Sequence, residues 1–215
     1  MQSIQSENLA NFCIHILDPE LQAKQTIEDL FSRVGMAYKY AAHATDLLTN
    51  LRSSINGCVL LDVRLPFYSI TELQQLLKKQ DAYLPVIFMG QDKDIQAAIK
   101  VLKAGAFDFL LKPLDEQHVL EVISQALRKR QEQLSHQNFL QKIEQRMQIL
   151  SMRESEVLQH LLQGLSNKKI GHSLEISTKT VEQHRANIMR KMQVESLADL
   201  VTDVVSYQLK KEQYI

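Results

Sequence analysis

Three polar residues stand where apolar runs stop: Asp18 after Phe12-Cys-Ile-His-Ile-Leu17, Asp62 after Cys58-Val-Leu-Leu61, and Lys112 after Phe107-Asp-Phe-Leu-Leu111. The two carboxylates can hold a hard cation of the magnesium kind, and the nearby ammonium can neutralise a phosphoryl oxygen. Asp62 would be the nucleophile, its carboxylate accepting phosphate as a mixed anhydride while a metal offsets the repulsion between two anions. The plainer alternative is that Asp62 only ends a strand. A second chemistry sits in Ser177-Thr-Lys-Thr-Val-Glu-Gln-His-Arg-Ala-Asn-Ile-Met-Arg-Lys-Met192. With Ser177 as N-cap and 100° per residue, Val181, Ile188 and Met192 share a face with Arg185 at its rim, and Lys179, Gln183, Ala186 and Arg190 lie opposite. Cations, an amide and a methyl suit the phosphates and base edges of a major groove. A solvated surface helix is the bland reading of the same pattern.

The elements that must position these residues follow from periodicity. Five apolar runs alternate with amphipathic segments: 12–17 then a helix ending at Gly35, 38–42 then 46–52, 58–61 then 70–80, 85–89 then 94–104, and 107–111 then a long helix. Strands apolar throughout, separated by helices, indicate a doubly wound α/β fold with a parallel sheet of about five strands covered on both faces. Such folds bind ligands beyond the C-terminal ends of their strands, which brings Asp18, Asp62 and Lys112 to one side.

The tail is different. Ser151-Met-Arg-Glu154 is a capping box, Ser166 precedes Asn-Lys-Lys-Ile, and Ser196-Leu-Ala-Asp199 repeats the pattern, so four serine-opened helices are expected. Val157, Leu158, Leu161, Leu162 and Leu165 face the core from the first, Ile170 and Leu174 from the second, and Leu197, Leu200, Val201, Val204 and Val205 from the fourth. The short Glu175-Ile-Ser177 link is the tight connection of a helix-turn-helix. Between the halves, residues 115–163 lack glycine and proline, and Leu134, Leu140, Ile143 and Met147 form a sparse stripe. A continuous helix and a partly helical solvated linker both fit. If it is continuous, two copies could pair along it and space DNA half-sites.

At 215 residues the chain accommodates two domains. We place the doubly wound α/β domain at 1–128, a helical linker at 129–149 and a DNA-binding domain at 150–215. No apolar run reaches eighteen residues and the N-terminus lacks the pattern of a signal peptide, which implies a cytoplasmic protein. Cys13 and Cys58 lie in or beside apolar runs without CxxC spacing and read as small buried residues. The formal charge is +0, yet across the two reading helices Lys168, Lys169, Lys179, Arg185, Arg190 and Lys191 outnumber Glu175 and Glu182.

Leu150-Ser-x-Arg-Glu-x-x-Val-Leu158, Gly164-Leu-Ser-Asn-Lys-Lys-Ile170, Ile176-Ser-x-x-Thr-Val181 and His184-Arg-x-Asn-Ile-Met-x-Lys-Met192 resemble the LuxR/FixJ-type DNA-binding domain. The resemblance implies that the helix from Thr178 reads the major groove. Glu182, Gln183 and Ala186 would face bases, and Asn167, Lys168, Lys179, Thr180, Arg185 and Lys191 would approach phosphates. Leu61-Asp-Val-Arg-Leu-Pro66, Leu84-Pro-Val-Ile87, Lys103-Ala-Gly-Ala-Phe-Asp-Phe109 and Leu111-Lys-Pro113 resemble the receiver domain of two-component response regulators of the FixJ/NarL kind. That implies Asp62 as phosphoacceptor, Asp18 as an acidic Mg2+ ligand, Lys112 as the phosphate-contacting lysine and Phe109 as the rotating aromatic of the switch.

Two departures bear on this. Pro19 replaces the second acid, which weakens or removes Mg2+ binding unless Glu20 substitutes as a ligand beside Asp18 and Asp62. Gly90 replaces the hydroxyl residue that couples phosphate to the switch. The expectation is a DNA-binding transcriptional regulator, not an enzyme in the turnover sense. It would act as an activator and homodimer, with promoter DNA, a sensor histidine kinase and RNA polymerase as partners. Its receiver would work through phosphorylation of Asp62 or without it; the alternative is a degenerate receiver serving as a dimerisation or protein-interaction module.

Overall fold

The computed structural model describes residues 12–19, 21–53, 56–65, 69–81 and 84–213. Contacts divide the chain into two compact units between Gln133 and Leu134. The N-terminal unit runs β1 (Cys13–Leu17), α1 (Leu21–Val34), β2 (Ala37–Ala41), α2 (Ala44–Ser53), β3 (Gly57–Asp62), α3 (Ile70–Gln80), β4 (Val86–Gly90), a 3-10 turn (Asp92–Asp94), α4 (Ile95–Lys103), β5 (Asp108–Leu111) and the first part of α5 (Glu116–Gln148). All strand pairs are parallel, in the order β2-β1-β3-β4-β5.

Side chains alternate across the strands, so each central strand feeds two cores. Cys58, Leu60, Ile87 and Met89 point to the face covered by Ile27, Leu30 and Phe31 of α1 and Val119, Val122 and Ile123 of α5. Val59, Leu61, Val86 and Phe88 point to the other, covered by Leu47 and Leu51 of α2, Leu73 and Leu77 of α3, and Val101 of α4. The double covering explains why β3 and β4 are apolar throughout. β2 is an exception: as an edge strand it alternates exposed and half-buried residues, which corrects the expectation that every strand is apolar.

The C-terminal unit contains the end of α5, then α6 (Met152–Leu162), α7 (Asn167–Leu174), α8 (Thr178–Met192) and α9 (Leu197–Gln213). The four serines lie where expected. Ser151 forms a capping box with Glu154, Ser166 accepts from the Lys169 N–H, Ser177 from Thr180 N–H, and Ser196 from Asp199 N–H. Gly164, at φ 75°, donates to the Leu161 carbonyl beyond the end of α6, so Leu165 lies outside that helix yet still packs on the core. The 129–149 segment is helical to Gln148, and Ile143 is fully buried in the C-terminal core. On α9 the expected face is only partly covered: Leu200 and Val204 are buried and Val201 half-buried, whereas Leu197 and Val205 are exposed.

Candidate phosphoacceptor site and nucleic-acid interface

The parallel register builds the first site. Leu17 pairs with Leu61 and Gly90 with Leu111, so the next residues of three strands, Asp18, Asp62 and Lys112, emerge together. Both carboxylates are buried. Lys112 Nζ lies between them, donating to Asp18 Oδ2 at 3.0 Å and to Asp62 Oδ2. Burial pulls the Lys112 pKa down, but the hydrogen bonds and charges of Asp62 and Asp18 outweigh that, and the pKa ends above its ordinary value. The Arg64 N–H donates to Asp62 Oδ1 at 2.6 Å, which fixes the carboxylate from the loop side. Tyr40 donates its hydroxyl to the Asp18 carbonyl; burial and then Asp18 push its pKa up to about 12. The Lys112–Pro113 peptide is cis.

Two further residues join this cluster that the strand-end pattern did not single out. Arg64 Nε is 3.9 Å from Asp62 Oδ1 and 3.5 Å from Asp94 Oδ2, and Asp94 also accepts from the Gln91 N–H at 2.8 Å. Arg64 was visible two residues after Asp62, but a loop residue's direction depends on a turn that no periodicity reports. Asp94 comes from the next strand-to-helix connection and has no local signal.

Gly90 is in tight quarters. A Cβ there would lie 2.8 Å from Phe109 Cζ, 2.8 Å from Val63 Cγ2 and 3.2 Å from Asp94 Oδ2. The Phe109 ring therefore fills the space that a hydroxyl residue at position 90 would need. Pro19 is exposed beside Asp18 and offers no donor; Glu20 lies outside the described residues. Among the described residues no cluster of three or more acidic, histidine or cysteine groups could hold a metal.

The second site lies in the C-terminal unit. Val181, Ile188 and Met192 of α8 are buried, while Lys179, Glu182, Gln183, Ala186 and Arg190 are exposed. The preceding turn has no room for a side chain at Gly171, where a Cβ would sit 2.7 Å from the Ile176 carbonyl. Glu175 closes α7 in the left-handed region, φ 55°, and Ile176 N–H returns to the Gly171 carbonyl at 2.9 Å. Lys168 is exposed, and the Thr180 hydroxyl bonds that of Ser177 at 2.8 Å. Arg185 donates to Asn167 Oδ1 at 2.5 Å, linking α8 to α7. Lys191, expected to approach phosphate, is half-buried, and its ammonium bonds Glu154 Oε2 at 2.6 Å and the Ile149 carbonyl at 3.1 Å. Burial raises the Glu154 pKa, but its hydrogen bonds with Lys191 and Ser151 and the Lys191 charge outweigh that and hold it below its usual value.

Comparison with known proteins finds a family match in each half of the chain. Residues 14–124 match the family described as "Response regulator receiver domain", and residues 148–204 that described as "Bacterial regulatory proteins, luxR family". The response regulator protein TodT of Pseudomonas putida is 37% identical over 87% of this chain and 83% of its own length. The transcriptional regulatory protein FixJ of Bradyrhizobium diazoefficiens is 34% identical over 87% of this chain and 92% of its own. The solved response regulator StyR superposes with a TM-score of 0.82 at 34% identity, covering 91% of this chain and 98% of that one. Receivers of this family bind Mg2+ for phosphorylation and interact with a kinase, and the LuxR-type helix-turn-helix binds DNA. The chain therefore belongs to the LuxR/FixJ family of two-component response regulators, and it is a DNA-binding regulator of transcription, not an enzyme.

Proposed function

We propose that Asp62 accepts the phosphoryl group that controls this regulator. The observation that carries the reading is the bonded Asp18–Lys112–Asp62 cluster, with both carboxylates buried at adjoining strand ends. An Asp62 carboxylate oxygen attacks phosphorus as the bond to the phosphohistidine nitrogen of a sensor kinase breaks, and the imidazole leaves with a proton. Lys112 neutralises a phosphoryl oxygen, and the Arg64 N–H orients the acceptor. Asp18 and Asp62 are donors of the right kind for Mg2+, which is commonly held by one or two carboxylates plus water, and which supplies charge neutralisation during transfer. With Pro19 contributing nothing, the metal is held weakly. Incubating the full chain with acetyl phosphate and Mg2+ should incorporate phosphate, seen as a shifted band on a phosphate-affinity gel, and Asp62→Asn should abolish it. An unshifted parent chain would remove phosphoryl control and leave a receiver that works as a dimerisation or interaction module. That second reading is favoured by the Phe109 ring filling the place beside Gly90, since the ring needs no displaced hydroxyl to sit there.

On DNA, Glu182, Gln183 and Ala186 of α8 face bases, while Lys168, Lys179 and Thr180 approach phosphates with Arg185 and Asn167 as a bonded pair. The protein acts in the cytoplasm as a homodimer on promoter DNA and activates by recruiting RNA polymerase. Exposed Ile95, Ile99 and Leu102 of α4 and Leu111 of β5 support pairing, since apolar side chains clustered in the open favour burial against a second copy.

A further inference from the structure

Arg146 lies in the last turn of α5, before the residues matched to the LuxR family, and belongs to the C-terminal unit. It reaches the far end of α8: Nη1 donates to the Met192 carbonyl at 3.0 Å and Nη2 to Gln193 Oε1 at 2.6 Å. The last carbonyls of a helix lack partners within it, and a cation there complements the negative end of the helix dipole. α8 stops at this point because Gln193 adopts the left-handed region at φ 54°. A second cation runs the other way. Lys191 bonds the Ile149 carbonyl and Glu154, and Glu154 Oε2 also accepts from the Ser151 N–H at 2.7 Å. The last turn of α8 is thus gripped by residues 146–154, and Ile143 seats α5 against the same core.

We propose that Arg146 is a positioning residue for DNA reading: the end of α5 sets the pose of α8, so the working DNA-binding unit starts near Leu134 and not at Leu150. At 1.5 Å per residue, Gln183 lies about 14 Å along α8 from Met192, far enough for a small tilt at the clasp to displace it from a base edge. Hydrogen bonds to bases weaken steeply with misalignment, whereas attraction to phosphates tolerates it. Loss of the clasp therefore damages sequence discrimination more than general affinity.

The inference rests on α8 being the helix that enters the groove, and the test separates the two. The probe is a duplex of about 30 base pairs, spanning two half-sites, selected from a random pool by the unsubstituted full chain, with its shuffled counterpart as reference. Arg146→Ala should weaken binding to the selected duplex about tenfold, the scale of one charge-assisted hydrogen bond, and change the shuffled duplex by less than about twofold. Arg146→Lys should restore part of the difference, because an ammonium can still cap the Met192 carbonyl. Equal losses on both duplexes, or no loss on either, overturn the proposal. If circular dichroism shows Arg146→Ala unfolded, Gln193→Ala, which removes one arm of the clasp, is judged by the same criteria. Should Gln183→Ala leave the selected duplex bound as tightly as before, the reading of α8 itself falls. A loss with Gln183→Ala but none at Arg146 overturns only the clasp.

Discussion

At the level of single residues, the contact between Gly90 and Phe109 limits what position 90 can hold. Restoring a hydroxyl at position 90 is not a simple repair, because the new Cβ would meet Phe109 Cζ and Val63 Cγ2, each at 2.8 Å. Gly90→Thr is expected to destabilise the N-terminal unit by about 1–3 kcal/mol through overpacking, measured by urea unfolding, and Phe109→Ala in the same chain should recover part of that loss. Cys58 makes a separate prediction. Burial pushes its thiol up to about 12 from 9.0, so the fold favours the protonated form; that stability is complete below pH 9.0 and fades as pH rises towards 12. Iodoacetamide at pH 8 should leave Cys58 unmodified in the folded protein, read by mass spectrometry. Cys58 was legible as a small buried residue from its apolar neighbours alone. The crowding around Gly90 was not, because it depends on Phe109, a neighbour across β4 and β5 that only the register identifies.

Among the elements, the strands and helices of the N-terminal unit followed from apolar periodicity, and the four serine caps marked the C-terminal helices to within a residue. What periodicity could not tell was which apolar stripes find a partner. Leu197 and Val205 have the spacing of core residues and remain exposed, since spacing records a face and not what covers it. Ties between distant elements were equally hidden. Arg130 on α5, 2% exposed, pairs with Asp81 at the end of α3, 49 residues away in sequence. Removing the acid leaves a guanidinium in the interior with one partner fewer, so Asp81→Ala should lower the unfolding free energy by about 2–3 kcal/mol. Arg130→Met, which deletes the buried charge but keeps the volume, should cost less, and denaturant titration of both variants checks the order.

For the whole molecule, formal neutrality conceals a basic face on the reading helices, and DNA affinity should carry the corresponding salt dependence. Lys179→Ala is expected to weaken binding on all sequences alike and to reduce the slope of log affinity against log salt by about one per chain, measured by anisotropy across a salt series. Gln183→Ala should instead leave the slope and alter sequence preference, since an amide at a base edge displaces no counterion. The closed turn at Gly171 bears on how such a protein can change over generations. A Cβ at Gly171 would lie 2.7 Å from the backbone carbonyl of Ile176, so any substitution there forces the link between α7 and α8 to shift and is expected to weaken binding at every promoter alike. Exposed Gln183 and Ala186 are under no such steric veto, so if they face bases as proposed, drift at these two positions can redirect the same scaffold to new genes while its architecture is inherited unchanged.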